Sequence, residues 1–135
     1  EDRKIKIWNL SSGDVEACLE GHTMKVLCLA FEQERNLLAS GSQDRTIKIW
    51  NIIDGVEVFT LKDIPERITA ILFLEKGKYL ASGSNDKLIR VWDMAKRTEA
   101  FTLSGHTEEI SSLSATSDQR LISSSFDMTV RVWNL

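Results

Sequence analysis

The chain has 135 residues, 42% of them hydrophobic and 27% charged, which is the composition of a globular protein and not of a disordered one. Lys and Arg total 17 against 20 Asp and Glu, and this net charge of −3 argues against a dedicated nucleic-acid surface. No apolar run is long enough to span a membrane, and the N-terminus lacks the basic-then-apolar order of a secretory signal.

Four similar phrases divide the chain into repeats of about 42 residues. Each phrase begins with Asp and ends with Trp: DRKIKIW, DRTIKIW, DKLIRVW and DMTVRVW, which close at Trp8, Trp50, Trp92 and Trp133. The first of these Asp residues is Asp2. Between Asp and Trp, polar residues alternate with Ile or Val, which is the period of a half-buried strand. The phrases therefore predict one strand each.

Further strands are predicted around each phrase. In chain order, KVLCLAF, RITAILF and EISSLSA open the later repeats, and NLLASGS, KYLASGS and QRLISSS follow them. After each of the first three tryptophans comes VEACLE, VEVFTL or EAFTL. Four short strands per repeat, joined by tight turns, predict an all-β chain of four-stranded antiparallel sheets with no helix. Since one such sheet cannot bury both of its faces alone, neighbouring sheets must stack around an axis.

The phrases GHT, LASGSQD and TIKIWN at residues 21–51 resemble the WD-repeat β-propeller pattern. The resemblance recurs in GHT at 105–107, SSSFD at 123–127 and IRVWD at 89–93, and it covers essentially the whole chain. It implies a propeller arc, with the strands of each blade named a to d from the inside outward. It implies little about function, because this scaffold supports many unrelated partners.

Counting strands in the family's order places the first and last strands of the chain at position c. The prediction is an arc of 13 strands with two complete blades flanked by partial ones. The predicted divisions are blade 1 at 1–20, blade 2 at 21–62, blade 3 at 63–104 and blade 4 at 105–135. We expect such an arc to expose an apolar face at each end, to be covered by the rest of a propeller in the same chain or in another subunit.

His, Ser and Asp recur at nearly equal spacings in blades 2 and 4, as they do in hydrolytic triads. A catalytic centre occurs once per domain, whereas this set recurs beside each Trp, so we favour a structural role. The resemblance implies a network in which Asp bonds His, His bonds Ser, and Ser bonds the indole N–H. Its members are His22, Ser40, Asp44 and Trp50 in blade 2, Ser82, Asp86 and Trp92 in blade 3, and His106, Ser123, Asp127 and Trp133 in blade 4.

Blade 3 departs from this pattern because Ile64 stands where His is expected, preceded by Asp63 and followed by Pro65. Asp86 is therefore expected to bond backbone N–H groups or water, and blade 3 is expected to be the weakest. Basic residues of the c strands (Lys4, Lys6, Arg45, Lys48, Arg90, Arg131) are expected on solvated strand faces. Acidic residues of adjacent d strands (Glu16, Glu20, Glu57, Glu99) would neutralise them.

No cofactor or metal site is predicted. The SGS segments lack the spacing of a phosphate-binding loop, and their glycines are expected to allow close packing. Cys18 and Cys28 have no zinc-site or disulfide-scaffold spacing, which favours reduced thiols in an intracellular, cytoplasmic protein.

The resemblance places partner binding on the upper face of the blades, at the start of strand a and in the turn between strands b and c. The corresponding residues are Lys25, Leu27 and Gln43 in blade 2, Arg67, Thr69 and Asn85 in blade 3, and Glu109, Ser111 and Phe126 in blade 4. Phe126 replaces the Gln and Asn of the other blades, and it is either an interface anchor or a residue packed on a neighbouring blade. Lys25 and Arg67 suggest an acidic or phosphorylated peptide.

The expected function is a non-catalytic scaffold or adaptor that binds proteins or peptides as part of a larger propeller, without nucleic acid or membrane as partners. The alternative is a regulatory or sensing arm of a larger enzyme whose catalytic domain lies outside this chain.

Overall fold

A computed structural model describes residues 3–135; Asp2, the first member of the Asp series, lies outside them. Its elements are thirteen strands and one 3-10 turn, at Glu75–Gly77. The strands are β1 Ile5–Trp8, β2 Val15–Leu19, β3 Val26–Glu32, β4 Leu37–Ser42, β5 Ile47–Asn51, β6 Val56–Leu61, β7 Ile68–Leu74, β8 Tyr79–Ser84, β9 Ile89–Asp93, β10 Thr98–Leu103, β11 Ile110–Ala115, β12 Leu121–Ser125 and β13 Val130–Trp133.

These strands form four antiparallel sheets in which each strand pairs with its neighbours in sequence. Blade 1 has β1 and β2, blade 2 has β3 to β6, blade 3 has β7 to β10, and blade 4 has β11 to β13. The predictions of an all-β fold, of the strand count and of two complete blades between two partial ones are confirmed. Within residues 3–135, no helix has the length and apolarity needed to cross a membrane.

The core lies between blades and not within them. Ile47 and Ile49 of blade 2 pack with Ile68, Ile71 and other apolar residues of blade 3. A second cluster joins blades 3 and 4, and a third joins blades 1 and 2 around Trp50. Each inner blade therefore depends on both of its neighbours to bury the apolar side chains on the two faces of its sheet.

Glycines of strand b make this packing close. A Cβ built at Gly41 would lie 2.6 Å from Cγ2 of Ile68, and one at Gly83 would lie 2.4 Å from Cγ2 of Ile110. The β-branched side chain that opens the next blade thus rests directly on the glycine backbone. The predicted reason for the SGS glycines is confirmed.

Apolar side chains are exposed at both ends of the arc. Leu29 of β3 is 52% exposed, whereas its equivalent in blade 3, Ile71, is 7% exposed because blade 2 covers it. At the other end, Val130 and Val132 of β13 are exposed. The expectation of an apolar face at each end is confirmed.

Both cysteines are free thiols. Cys28 is half-buried between blades 2 and 3, with its Sγ 3.8 Å from the carbonyl oxygen of Ile68. Burial raises the pKa of this thiol to about 12, so it is protonated and unreactive at neutral pH.

Candidate functional site

A hydrogen-bonded network ties blade 2 together. His22 lies in the loop before β3, Ser40 in β4, Asp44 in the turn after β4, and Trp50 in β5. Asp44 Oδ2 lies 2.8 Å from His22 Nδ1, and His22 Nε2 lies 2.7 Å from Ser40 Oγ. The indole N–H of Trp50 donates to Ser40 Oγ at 2.8 Å, and Thr46 Oγ1 donates to Asp44 at 2.6 Å. The network therefore connects a loop, two strands and a turn.

Blade 4 repeats this geometry. Asp127 Oδ2 lies 2.7 Å from His106 Nδ1, and His106 Nε2 lies 2.7 Å from Ser123 Oγ. Trp133 donates to Ser123 Oγ at 2.9 Å, and Thr129 donates to Asp127 at 2.6 Å. The same sequence spacing thus produces the same contacts twice.

These sets have the residue types of a hydrolytic triad but leave no room for a substrate. Ser40 and Ser123 are 0% exposed, and each hydroxyl oxygen already accepts an indole N–H. His22 and His106 pack edge-on against the tryptophans, with ring centroids 6.3 Å apart in both blades. A nucleophile must be open to an incoming carbonyl carbon, so this arrangement is suited to holding strands together and not to acyl transfer.

The Asp residues of these sets are held as carboxylates. Burial works to raise the pKa of Asp44, but hydrogen bonds from Thr46, His22 and the Thr23 N–H outweigh it and lower that pKa. At Asp127, burial also works to raise the pKa, but hydrogen bonds from Thr129 and His106 outweigh it and lower that pKa. Acceptors that stay ionised bind their donors more strongly than neutral ones do.

In blade 3, different side chains hold the turn aspartate, which corrects one prediction. The indole of Trp92 still donates to Ser82 Oγ at 2.8 Å, but Ile64 and Leu88 occupy the places of His22 and Thr46. Asp86 instead receives the guanidinium of Arg90, with Nη2 at 2.7 Å from Oδ2 and Nη1 at 3.2 Å from Oδ1. The Leu88 N–H donates at 3.2 Å.

The expectation that backbone N–H groups or water alone would satisfy Asp86 is therefore wrong. Arg90 was also expected on a solvated strand face, yet it is only 7% exposed. Its turn toward Asp86 follows from the missing imidazole, because Ile64 brings no hydrogen-bond donor to that carboxylate. Leu88, which stands at the position of Thr46, is the sequence feature that could have indicated this role of Arg90, because it removes a second hydrogen-bond donor from Asp86.

Two other cations of the c strands do pair as predicted with acidic residues of d strands. Lys4 lies 2.6 Å from Glu20, and Lys48 lies 2.7 Å from Glu57. Lys48 stands at the position of Arg90, so one position of the repeat pairs with a glutamate of strand d in blade 2 and with the turn aspartate in blade 3.

The predicted upper-face residues come together in each blade through the backbone. Each turn residue donates its N–H to the residue that precedes or opens strand a: Gln43 to Lys25 at 2.9 Å, Asn85 to Arg67 at 3.3 Å, and Phe126 to Glu109 at 3.0 Å. The third member of each set, Leu27, Thr69 or Ser111, lies where the pairing of strands a and b shifts register. Such bulges recur next to functional sites because they redirect a side chain.

Contacts across the upper face differ between blades. Arg67 Nη2 lies 2.8 Å from Glu109 Oε2 and 3.4 Å from Asn85 Oδ1, which joins blades 3 and 4. Thr69 donates its hydroxyl to the carbonyls of Gly83 and Ile110, so it serves packing between blades. Ser111 bonds Ser124 at 2.9 Å.

An apolar spot interrupts this polar face. Phe126 is 67% exposed in the turn between β12 and β13. Met128 beside it is 97% exposed, although Arg45 and Lys87 stand at its position in the other turns. Sequence reasoning missed Met128; comparing the three turns position by position would have found it.

Comparison with known proteins agrees with this geometry. The model of the family described as "WD domain, G-beta repeat" matches residues 13–51, 55–93 and 97–134. The solved structure of U3-55K is similar, with a TM-score of 0.92 and 28% sequence identity over 99% of this chain. The match spans 43% of the length of that protein. The chain therefore belongs to the WD40 repeat family, whose propellers in general are protein-interaction scaffolds.

Proposed function

We propose that this chain is a non-catalytic binding segment of a larger propeller and acts as an adaptor through its upper face. The observation that carries the proposal is the contrast between a buried polar set and an exposed apolar one. The Ser, His and Asp side chains are committed to one another and to tryptophan, whereas Phe126 and Met128 are exposed beside the Arg67–Glu109 ion pair.

The chemistry of this face suits a peptide with a large apolar side chain. Exposed aromatic residues surrounded by polar groups are frequent anchors of protein interfaces. Surface ion pairs contribute only up to about 1 kcal/mol, so a partner can replace Glu109 on Arg67 at small cost. We therefore expect an apolar anchor on Phe126, flanked by a hydrogen-bonding group that reaches Arg67 or Asn85.

The test is selection of ligands from a random peptide library, followed by titration of the selected peptides against variants. Phe126→Ala is expected to weaken binding about tenfold or more, as hot-spot truncations do. Ile53→Ala is the matched control, because Ile53 is 73% exposed in the turn between strands c and d, away from the upper face. Equal losses in both variants, or no selected ligand that depends on Phe126, would contradict the proposal.

The non-catalytic part of the proposal has its own test. We expect no turnover of activated esters above the solvent rate. Turnover that disappears in Ser40→Ala while the variant remains folded would overturn it.

A further inference from the structure

The seam between blades 2 and 3 and the seam between blades 3 and 4 depend on the same steric contact. Gly41 of β4 lies against Ile68, which opens strand a of blade 3. Gly83 of β8 lies in the same way against Ile110, which opens strand a of blade 4. A Cβ on either glycine would approach the isoleucine side chain to 2.6 Å or less, which is closer than carbon atoms pack. Each seam therefore needs a residue without a side chain on one blade and accepts a β-branched residue on the next.

Blade 4 carries Ser124 where the two inner blades carry this glycine. Ser124 has the same register as Gly41 and Gly83 with strands a and c of its own sheet. Its Cβ therefore points out of the open face of blade 4, where the first residue of a following strand a would rest. Its hydroxyl lies 2.9 Å from the hydroxyl of Ser111, which holds the side chain in place. A blade that opens with Ile cannot approach this face as closely as blades 3 and 4 approach their neighbours.

Strand a of blade 4 adds two more hydroxyls to the open face. Ser112 is the strand partner of Ser124, and Ser114 follows two residues later on the same face; both are exposed. The equivalent residues of the inner blades are apolar and pack against the next blade: Cys28 and Ala30 in blade 2, and Ala70 and Leu72 in blade 3.

The strands of this face therefore differ in what they can be covered by. A hydroxyl that is buried without a hydrogen-bond partner costs free energy, whereas an apolar side chain gains it. Strand c keeps its apolar character, with Val130 and Val132 exposed. An element that covers the face must bring hydrogen-bonding groups opposite strand a and apolar side chains opposite strand c.

The complete strands a that the structure describes do not meet these requirements. Their first residues are Val26, Ile68 and Ile110, and all three are β-branched. In blade 3, the apolar Ile71 and Phe73 follow on the side that packs against the preceding blade. A second copy of this chain is therefore not the neighbour that the open face of blade 4 fits.

We propose that this face binds a further blade of the larger propeller, and that this blade is unlike blades 2 to 4. Its strand a opens with Gly, Ala or Ser, and polar side chains follow opposite Ser112 and Ser114. The proposal rests on the proposed function in one respect, the existence of a larger propeller. The seam after blade 4 is then selective, because the side chain of Ser124 excludes blades that open with Ile or Val.

The first experiment transfers the contact to an inner seam of the 135-residue chain. Gly83→Ser is expected to lower the thermal midpoint by about 5–10 °C, because the added side chain overlaps Ile110. In an Ile110→Ala background the overlap is removed, and the same substitution is expected to lower the midpoint by less than about 2 °C. Ser124→Gly is the matched control, and it is expected to bring no increase because it relieves no overlap. Equal losses from Gly83→Ser in the two backgrounds, or a higher midpoint in Ser124→Gly, would overturn the proposal.

The second experiment adds a neighbour of known sequence. Residues 53–104 are repeated after Leu135, which supplies strand d for blade 4 and then a copy of blade 3. Ile68→Ala, made only in the copy, is expected to raise the thermal midpoint of this fusion by about 3 °C or more. The control fusion carries the face of an inner blade, through Ser124→Gly with Ser112→Ala and Ser114→Ala. In that control, Ile68→Ala in the copy is expected to lower the midpoint, because a cavity replaces the overlap.

Two results of the second experiment would overturn the proposal. A higher midpoint with Ile than with Ala on both faces would show that Ser124 does not select the neighbour. Equal midpoints in all four fusions would show that the face of blade 4 does not bind a blade. Neither result bears on the binding of peptides at Phe126, so failure of this proposal and failure of the upper-face function are distinguishable.

Discussion

Blades 2 and 3 are built on the same repeat, yet they hold the same aspartate in two different ways. In blade 2, Asp44 accepts hydrogen bonds from His22 and Thr46. In blade 3, both donors are replaced by aliphatic residues, and Asp86 is held by Arg90 and by the hydroxyl of Ser84. In both blades, side chains donate hydrogen bonds to the turn aspartate. The donors stand at different positions of the repeat: they are His22 and Thr46 in blade 2, and Arg90 of strand c in blade 3.

The largest expected effect is that of removing the guanidinium from blade 3. Arg90→Ala leaves the carboxylate of Asp86 half-buried without its cation, and we expect a loss of about 3 kcal/mol in the free energy of unfolding. Urea denaturation followed by tryptophan fluorescence measures it. A loss below about 1 kcal/mol would mean that Arg90 behaves as an ordinary surface cation.

A smaller effect is expected for the imidazole of blade 2. His22→Ala is expected to cost about 1–3 kcal/mol, because Asp44 keeps the Thr46 hydroxyl and the Thr23 N–H but loses one buried donor. The same urea titration applies, with the exposed Met24→Ala as a neighbouring control. A cost equal to that of the control would show that the network contributes nothing to stability.

Lys48→Ala tests the position of Arg90 in the other blade. The Lys48 side chain is 13% exposed, but its partner Glu57 is 36% exposed and keeps the hydroxyl of Thr60, so we expect a loss of about 1 kcal/mol. The test is the difference between the losses in the free energy of unfolding caused by Arg90→Ala and by Lys48→Ala. Similar losses at the two positions would break the comparison between blades.

The smallest signal is expected in the pH dependence of blade 3. Burial works to raise the pKa of Asp86, but hydrogen bonds from Arg90 and Ser84 and the charge of Arg90 lower it below its ordinary value of 3.8. A lowered folded-state pKa stabilises the protein above the unfolded pKa, and this contribution is lost as the pH falls through the folded value. The stability difference between wild type and Asp86→Asn should therefore be constant near neutral pH and shrink below about pH 4. A difference that grows on acidification would contradict this assignment.

The strands could be predicted from the sequence because they follow from spacing, and the networks of blades 2 and 4 could be predicted because these residues resemble WD repeats. Alternation of polar and apolar residues determines which face of a strand each side chain takes, and an Asp six positions before each Trp places the turn next to the indole. Phe126 was recognised as unusual for the same reason, since its turn aligns with two others position by position.

The inward turn of Arg90 could not be predicted in this way. Arg90 turns inward because Ile64 and Leu88 do not supply the imidazole and the hydroxyl that hold Asp44 in blade 2, which leaves Asp86 with the Ser84 hydroxyl and the Leu88 N–H. These effects join residues far apart in sequence. The hydrogen bond from the Thr69 hydroxyl to a carbonyl of the next blade could not be predicted for a similar reason.

A double-mutant cycle tests the central claim, that Arg90 does in blade 3 what His and Thr do in its neighbours. Arg90→Ala is measured by urea unfolding in the wild-type chain and in an Ile64→His, Leu88→Thr background that restores both donors. The account predicts a cost of about 3 kcal/mol in the first and less than about 1 kcal/mol in the second. Equal costs in the two backgrounds would contradict it.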